Sequence, residues 1–331
     1  MANIYITKQR SVLRKTGDRL LVQKEDAVLL DVPCHTIDAV LIFGNVQFTT
    51  QAVHELFEHG IELAILTRHG RLVGQLTSPT TRNIDLRLAQ FRRYDQPDFR
   101  LELARTITRA KIRNCLTLVQ RFARNHREVD LEEPILALKR RMAACPGAGS
   151  PEELLGIEGI AARDYFGAFA AMVRADFNFP GRKKRPPPDP VNALLSFSYT
   201  LLFNEISSLL DGLGFDPYLG YLHHPDYGRP SLACDLIEEF RAPVADRLTL
   251  RLLNNRILTR EHFHGHATGR GAYLTREGMQ RYFREYESFM SRPVGKPAGK
   301  TAGNFRRCIR SQAEKLARTI RDGEPYTPFL L

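Results

Sequence analysis

The chain has 331 residues, 43% of them hydrophobic, which is enough for two domains and too apolar for a disordered protein. Lysine and arginine number 48 against 37 acidic residues, a net charge of +11 that favours a polyanionic partner such as nucleic acid. The five cysteines form no Cys-x-x-Cys pair, which argues against a zinc ribbon or disulfide framework and predicts a reducing, cytoplasmic setting. The apolar runs are too short for a membrane span, and we find no signal peptide.

Short apolar runs separated by turn residues predict β-strands over residues 1–78. Turn signals at Thr16–Asp18 and Glu25–Asp26 favour hairpins, so we expect a small, sandwich-like and mostly antiparallel β domain. A helix is predicted over Thr50–His59, where Gly60 ends it. The histidines of this region are expected to be surface or packing residues rather than ligands: His35, His54, His59 and His69.

Ser78–Thr80 marks a domain boundary, because the apolar period becomes helical after it and stays so almost to the end. We therefore expect residues 79–331 to form a larger all-α domain, which makes the fold class α+β. Glu158 in this region stands between Gly156 and Gly159, small neighbours that would let a second helix press it into an interior. A buried carboxylate is costly unless it is paired or bound to a metal.

The stretch Gly220–Arg241 concentrates titratable side chains around a turn and a short helix predicted to begin at Ser231. They are His223, His224, Asp235, Glu238 and Glu239. Asp235 and Glu238 are three residues apart, so they project to neighbouring positions on the helix, and Pro225–Pro230 can fold His223 back over it. Two carboxylates and an imidazole suit a divalent metal. The alternative is a turn followed by a helix with solvated acids.

Two basic segments are candidates for phosphate contacts. One is the proline-rich loop 181–192, whose prolines keep it extended and whose cations form a candidate DNA clamp. These cations are Arg182, Lys183, Lys184 and Arg185. The other is a basic helix predicted over Phe305–Ile320, with Arg306, Arg307 and Arg310 as candidate phosphate contacts. The alternative in both cases is a solvated loop or tail.

Four segments, in order along the chain, resemble one known family. They are 156–166, 185–200, Gly220–His223 and Gly228–Pro243. Together they are similar to the CRISPR spacer-acquisition endonuclease/integrase family, the universal CRISPR adaptation nuclease. The likeness is collinear over nearly the whole chain and includes the N-terminal β layout.

The resemblance implies a β domain, here residues 1–78, that serves dimerisation, and a helical catalytic and DNA-binding domain, here residues 79–331. It implies a metal-dependent endonuclease/integrase of prokaryotic adaptive immunity that inserts spacer DNA into a CRISPR array. In that reaction a 3′-hydroxyl attacks the phosphodiester of the repeat. The implied partners are double-stranded DNA, a second copy of the chain and a small companion CRISPR adaptation protein.

The resemblance also implies a single Mn²⁺ or Mg²⁺, held by residues that are both ligands and catalytic groups. Carried over by motif, these are Glu158, His223 and Glu238. A supporting role is expected for Asp235, Tyr199, Arg229 and Arg241. The extra acid Glu239 leaves open which of the two neighbouring glutamates points into the site.

Two other functions remain open. A catalytically silent DNA-binding scaffold of the adaptation complex is disfavoured by the intact metal-ligand set, and an unrelated hydrolase of a small substrate is disfavoured by the basic helices. No Ser-His-Asp or Cys-His pattern stands at family-compatible positions, so we expect no covalent enzyme intermediate. The alternating His262, His264 and His266 lack a nearby acid cluster, which favours a flexible loop over a second metal site.

Overall fold

The computed structural model describes residues 2–68, 70, 72–76, 83–174, 176–183, 186–265, 271–294 and 303–331. These residues pack as two compact units: Met1–Thr80 with Leu274–Glu287, and Thr81–Tyr273 with Ser288–Leu331. The boundary predicted at residue 78 lies in 77–82, outside the described residues. Strands dominate the early chain and helices the later chain, so the predicted α+β class is confirmed.

The described residues form strands and helices with the following bounds. The strands are β1 (Ala2–Ile6), β2 (Val12–Thr16), β3 (Arg19–Lys24), β4 (Ala27–Pro33), β5 (Ile37–Phe43), β6 (Gln47–Phe48), β7 (Glu62–Leu66), β8 (Leu72–Leu76), β9 (Phe263–Gly265) and β10 (Ala272–Leu274). The α-helices are α1 (Thr50–Glu58), α2 (Ile84–Tyr94), α3 (Pro97–Asn125), α4 (Glu132–Ala144), α5 (Pro151–Met172), α6 (Pro190–Leu213), α7 (Ser231–Ile237), α8 (Arg247–Asn254), α9 (Arg276–Met290) and α10 (Phe305–Asp322). The pair β9 and β10 lies in the domain predicted to be all-α, and β9 forms where a flexible loop was predicted around His264.

The first unit contains two four-stranded sheets, with strand orders β1-β5-β7-β8 and β4-β3-β2-β6. The hairpins β2–β3 and β3–β4 are antiparallel, and Gly17 and Glu25 in their turns have positive φ. The pairs β1–β5, β5–β7 and β2–β6 are parallel, so the mostly antiparallel arrangement predicted from sequence is wrong for them. Turn residues encode the direction of a hairpin, whereas these pairs join strands that are distant in sequence.

Apolar side chains from both sheets and from α1 share one core. Leu13 and Leu20 of one sheet, Val40 and Leu63 of the other, and Leu56 of α1 are all fully buried. Their burial supplies most of the stabilisation of this unit, at roughly 25 cal/mol per Å² of apolar surface. The sheets therefore pack face to face, as the predicted sandwich-like arrangement requires.

In the second unit, α6 is the core helix. Among the described helices it alone is long and apolar enough to cross a membrane by length and composition. Four of its leucines are fully buried within the protein: Leu194, Leu195, Leu201 and Leu202. Burial in the core of the protein accounts for the apolar composition of this helix. The prediction that every apolar run is too short for a membrane span is wrong for α6 by length and composition.

Capping residues fix where the helices that carry site residues begin. The Ser150 hydroxyl accepts a hydrogen bond from the Glu153 N–H at the start of α5 (3.2 Å). Asp189 accepts one from the Asn192 N–H at the start of α6 (2.8 Å). Each helix has proline at its first position, where the missing N–H costs nothing.

The chain around the candidate site changes helix type twice. The helix α7 ends at Ile237, a turn follows, and residues Arg241–Asp246 form a π-helical segment that leads into α8. Pro243 lies inside that segment and cannot donate an α-helical hydrogen bond. Wide π turns of this kind occur often at functional sites. The segment packs against α3 and α6.

Candidate metal centre

Two acids that are far apart in sequence meet at one lysine. Lys111 on α3 contacts Glu158 Oε1 with its ammonium group, and its Nζ lies 2.5 Å from Glu238 Oε2. The side chains of Lys111 and Glu238 are only 15% and 4% exposed. A single small cation therefore touches both carboxylates. Lys111 is not predictable from the sequence as a site residue, because nothing local distinguishes it from the other basic residues of α3.

The charges around Glu238 favour its ionised form. Arg241 Nε donates to Glu238 Oε1 at 3.1 Å. Burial alone would raise the pKa of Glu238, but Arg241 and then Lys111 outweigh it and hold that pKa far below its usual range. Burial likewise lowers the pKa of Lys111, yet Glu238 and Glu158 reverse the effect and raise it. Both partners are therefore charged at neutral pH.

Asp235 holds the loop that carries His223. Its carboxylate accepts the backbone N–H groups of Tyr221, Leu222 and His223 at 2.5, 3.0 and 2.9 Å. Its Oδ1 also lies 2.8 Å from His223 Nδ1. With the Nδ1 proton donated to Asp235, the lone pair on His223 Nε2 is left free for a metal.

Gly220 permits the close contact between this loop and α7. A Cβ atom at Gly220 would lie 2.7 Å from the Ser231 carbonyl carbon and 2.8 Å from Ser231 Cβ, so a larger residue does not fit. The glycines beside Glu158 behave differently: a Cβ at Gly156 or Gly159 would meet nothing within 4 Å. The prediction that these two glycines let a helix press onto Glu158 is therefore wrong, and the Glu158 side chain is 22% exposed.

Tyr199 of α6 is linked to Glu238 through Arg241, which contacts both side chains. The Arg241 guanidinium stands 4.6 Å from the centre of the Tyr199 ring. The Tyr199 hydroxyl donates to Asp246 Oδ1 at 2.5 Å, and Tyr165 donates to Oδ2 at 2.8 Å. Burial raises the pKa of Asp246 to about 6, although both hydroxyls act to lower it. Asp246 and Tyr165 are further residues of this network that the sequence analysis missed.

Glu239 turns to other partners than Glu238. Its carboxylate is fully buried and accepts hydrogen bonds from the Tyr326 hydroxyl (2.6 Å), the Phe329 N–H (2.6 Å) and Gln312 Nε2 (2.9 Å). Those partners belong to α10 and to the C-terminal segment after it. Of the two neighbouring glutamates, Glu238 is thus the one that contacts Lys111.

His224 and Arg229 lie apart from the acid pair. The exposed His224 bonds through Nδ1 to the Pro225 carbonyl oxygen at 2.7 Å. Arg229 is exposed in the turn that begins at Asp226; burial raises the pKa of Cys234, and the Arg229 guanidinium opposes that rise. Neither side chain contacts Glu158 or Glu238 among the contacts seen in the described ranges.

The predicted DNA clamp is only partly available to a ligand. Arg182 is half-buried, donates to Asn192 Oδ1 at 2.9 Å and lies 5.3 Å from the Tyr199 ring centre, so it is not a free cation on an open loop. Lys183 is exposed. Lys184 and Arg185 lie outside the described residues.

The basic helix α10 presents two of its three predicted phosphate contacts to solvent. Arg307 and Arg310 are exposed. Arg306 instead pairs with Glu205 of α6 at 3.3 Å, with 18% of its side chain exposed. A residue engaged in this way contributes to packing of the helix rather than to an open surface.

The described residues contain one group of three candidate metal-ligand side chains that lie mutually close, and it is in the first unit, not at Glu158, His223 and Glu238. Candidate ligand atoms of Cys34, Glu55 and His59 lie within 4.8 Å of one another. The Lys15 ammonium already contacts Glu55 Oε2, and His59 Nε2 lies 3.1 Å from Oε1. Burial raises the pKa of the Cys34 thiol, which keeps it protonated at neutral pH. The carboxylate of this group is thus already paired with a cation.

The described histidines at and just before β9 have separate hydrogen-bond partners. His262 is buried, and its Nδ1 accepts the Thr259 N–H at 3.0 Å. His264 Nδ1 bonds to the Gly265 carbonyl oxygen at 2.9 Å. His266 lies outside the described residues.

Comparison with known proteins identifies the family. The family described as CRISPR associated protein Cas1 matches residues 4–288. The CRISPR-associated endonuclease Cas1 3 of Thermus thermophilus is 36% identical over 98% of this chain and 96% of its own length. The CRISPR-associated endonuclease Cas1 1 of Chlorobaculum tepidum is 34% identical over 99% and 97%. A Cas4/Cas1 exonuclease–endonuclease fusion of Geobacter sulfurreducens is 35% identical, and this chain spans 59% of it.

Solved structures share the fold over nearly the full chain. The CAS1 protein of Thermotoga maritima aligns with a TM-score of 0.84 at 25% identity, covering 99% of this chain and all of that one (100%). A casposase bound to its integration product aligns with the same TM-score at 21% identity, covering 98% and 92%. The resemblance inferred from four sequence segments is thus confirmed, and the chain belongs to the CRISPR-associated protein Cas1 family, whose curated relatives are named endonucleases.

Proposed function

We propose that this protein is a metal-dependent DNA endonuclease/integrase that inserts spacer DNA into a CRISPR array. The observation that carries the proposal is the meeting of Glu158 and Glu238 at one cation position, together with the His223 ring that Asp235 orients. Family membership supports the same activity, because the curated relatives are named endonucleases.

Glu158, His223 and Glu238 are the side chains that would hold the divalent ion. Two carboxylates and one imidazole fit Mn²⁺ or Mg²⁺. Glu238 Oε2 supports this fit, because it is buried and its partner is a cation, the Lys111 ammonium 2.5 Å away. Once bound, such an ion would supply Lewis-acid and template chemistry for attack on a phosphodiester by a 3′-hydroxyl or by water.

The remaining residues of the site set its charge and its geometry. Asp235 fixes the orientation of His223, and Arg241 fixes the direction of the Glu238 carboxylate. Arg241 also places a permanent positive charge where an anionic phosphate must be bound, which favours the more negative transition state. Tyr199 packs against Arg241 and keeps the guanidinium in place.

The proposed partners are double-stranded DNA, a second copy of the chain and a small companion adaptation protein. Proteins with this fold include a casposase bound to an integration product and a Cas6-RT-Cas1–Cas2 complex. Exposed Arg307 and Arg310 suit non-specific phosphate contacts. Exposed Val28 and Leu29 on β4 present apolar surface at the edge of a sheet, which a second copy would cover.

A single substitution separates the proposal from its alternative, a catalytically silent DNA-binding scaffold. Glu158→Gln should keep the DNA binding measured without metal and abolish strand transfer by the chain, assayed with its companion protein, Mn²⁺ and a repeat-bearing plasmid. Glu152→Gln is the control, because Glu152 lies on the same helix with 69% of its side chain exposed. Full strand transfer by Glu158→Gln would refute the proposed metal centre, and absence of transfer by the unmodified protein would favour the scaffold.

The phosphate contacts need a separate test. Replacing Arg307 and Arg310 together by alanine should weaken binding to DNA of any sequence. It should also reduce the slope of log affinity against log salt by about 2, since each lost phosphate contact accounts for about 0.9. Unchanged affinity and slope would remove α10 from the DNA-binding surface.

A further inference from the structure

The position between Glu158 and Glu238 is filled by a positive charge of the chain itself. The Lys111 ammonium contacts Glu158 Oε1 and lies 2.5 Å from Glu238 Oε2. These are the carboxylates that the proposed function assigns to the divalent ion. An ammonium and a divalent cation cannot share the same two oxygen atoms, because both are small and they repel each other.

Lys111 belongs to the interior of the site and is not a surface lysine that has folded inward. Its side chain is 15% exposed, and it extends from α3, which packs against α5 and the segment Arg241–Asp246. Arg241 occupies the other oxygen of Glu238, Oε1. Glu158 Oε1 and Glu238 Oε2 therefore share a single cation, and that cation is held by a flexible four-carbon stem.

We propose that Lys111 is a resident cation of the metal centre. In the metal-free protein it holds Glu158 and Glu238 facing each other, and it is displaced from them when the divalent ion binds. Its presence lowers the affinity for that ion. The inference rests on the proposed function, since it requires these two glutamates to be metal ligands.

The charge of the site should change when a divalent ion displaces Lys111, and this change should affect DNA binding. Glu158, Glu238, Lys111 and Arg241 carry two negative and two positive charges, so the metal-free group is formally neutral. A divalent ion that displaces Lys111 without removing it raises the formal charge by two. Only the metal-loaded group then attracts a phosphodiester strongly, so metal and DNA should each strengthen binding of the other. Lys111 acts here as a positioning residue.

The test compares Mn²⁺ affinity among charge variants, with free Mn²⁺ measured by electron paramagnetic resonance. Lys111→Met should bind Mn²⁺ about tenfold more tightly or better, because the competing charge is gone. Its strand transfer at saturating Mn²⁺ should nevertheless fall, and its metal-free form should melt at a lower temperature. Lys111→Arg keeps the charge and should bind Mn²⁺ no more tightly than the unmodified protein.

Arg141→Met is the matched control, because Arg141 pairs with Asp164 on α5 and is not one of the cations bound to Glu158 or Glu238. It should leave Mn²⁺ affinity unchanged. Unchanged or weaker Mn²⁺ binding by Lys111→Met would overturn the inference while leaving the proposed function standing. Absence of Mn²⁺ binding by the unmodified protein would instead refute the proposed metal centre.

A second measurement applies if Lys111→Met does not fold. In the unmodified protein, the side-chain nitrogen resonance of Lys111 can be assigned by its absence from Lys111→Arg. Saturation with Mg²⁺, which is diamagnetic, should shift that resonance, because the ammonium leaves two carboxylates. A resonance that stays in place at saturating Mg²⁺ would contradict displacement.

Discussion

Glu238 and Glu239 are neighbours in sequence whose carboxylates take entirely separate partners. Glu238 contacts Lys111 and Arg241, whereas Glu239 accepts hydrogen bonds from Gln312 and from the C-terminal segment. The segment also stacks on the adjacent residue, since the rings of Phe240 and Phe329 lie 5.0 Å apart. The C-terminal segment thus buttresses the turn that carries Glu238.

Replacing Glu239 should therefore cost stability rather than a metal ligand. Glu239→Ala leaves the Tyr326 hydroxyl, the Phe329 N–H and Gln312 without their shared acceptor. We expect the free energy of unfolding in urea to fall by about 3 kcal/mol or more, at 1–3 kcal/mol for each unsatisfied buried group. Glu261→Ala, at a side chain that is 80% exposed, is the control. A loss in Glu239→Ala no larger than in this control would contradict the buttress.

Asp235 should act on the metal through His223. Asp235→Asn removes the charge that orients His223 Nδ1 and leaves one carbonyl oxygen for three backbone N–H donors. Loss of such a partner typically lowers metal affinity or activity about 10–100-fold. Mn²⁺ titration of Asp235→Asn measures the effect, with the exposed Asp226→Asn as control. Equal Mn²⁺ affinity in both variants would show that His223 does not depend on Asp235.

Sequence reasoning reached the proposed ligands because motif residues stand in recognisable blocks. It missed Lys111, because a lysine on a basic helix gives no local sign that two distant acids will meet it. It also left Glu239 ambiguous, since the partners that settle its direction lie at Gln312 and Tyr326. The wrong prediction of close helix packing at Gly156 has the same origin. A glycine in a helix suggests that a neighbouring element packs closely there, but a Cβ at Gly156 would meet nothing within 4 Å. Long-range contacts decided each of these points.

The same limit appears in the fold. Hairpins such as β2–β3 were predictable from Gly17 in their turn, because a tight turn fixes both partner and direction. The parallel pairing of β1 with β5 depends on burial of both strands in a shared core, which alternation within one strand does not encode.

Replacement of glycine by alanine should change the free energy of unfolding in opposite directions at Gly220 and Gly156. Gly220→Ala should lower the free energy of unfolding by about 1–3 kcal/mol, because the new methyl group collides with the backbone of Ser231. Gly156→Ala should raise it by up to about 1 kcal/mol, because alanine favours the helix and meets no neighbour. Urea unfolding of both variants measures the contrast. Similar losses in the two would mean that the loop tolerates a side chain at Gly220.

Asp246 should give the protein a specific pH dependence. Burial raises its pKa to about 6 from a usual value of 3.8, so between these values the folded state holds a proton that the unfolded state has lost. The contribution of Asp246 to stability is thus fully present below pH 3.8 and declines as the pH rises to 6. The decline amounts to about 3 kcal/mol.

Asp246→Asn removes this titration while still offering hydrogen bonds to Tyr165 and Tyr199. Relative to the unmodified protein, the variant should become more stable as the pH rises from 4 to 6 and then level off. Urea unfolding at several pH values gives the comparison. A difference between the two proteins that does not change with pH would contradict the assigned pKa.

The central claim is that Glu158, His223 and Glu238 bind one divalent ion. Pulsed electron paramagnetic resonance of bound Mn²⁺ tests it most directly, because it detects coupling to a coordinated imidazole nitrogen. We predict one Mn²⁺ per chain with this coupling, lost in His223→Ala, and no bound Mn²⁺ in Glu238→Gln. Mn²⁺ bound without a nitrogen ligand, or bound equally well by Glu238→Gln, would contradict the account.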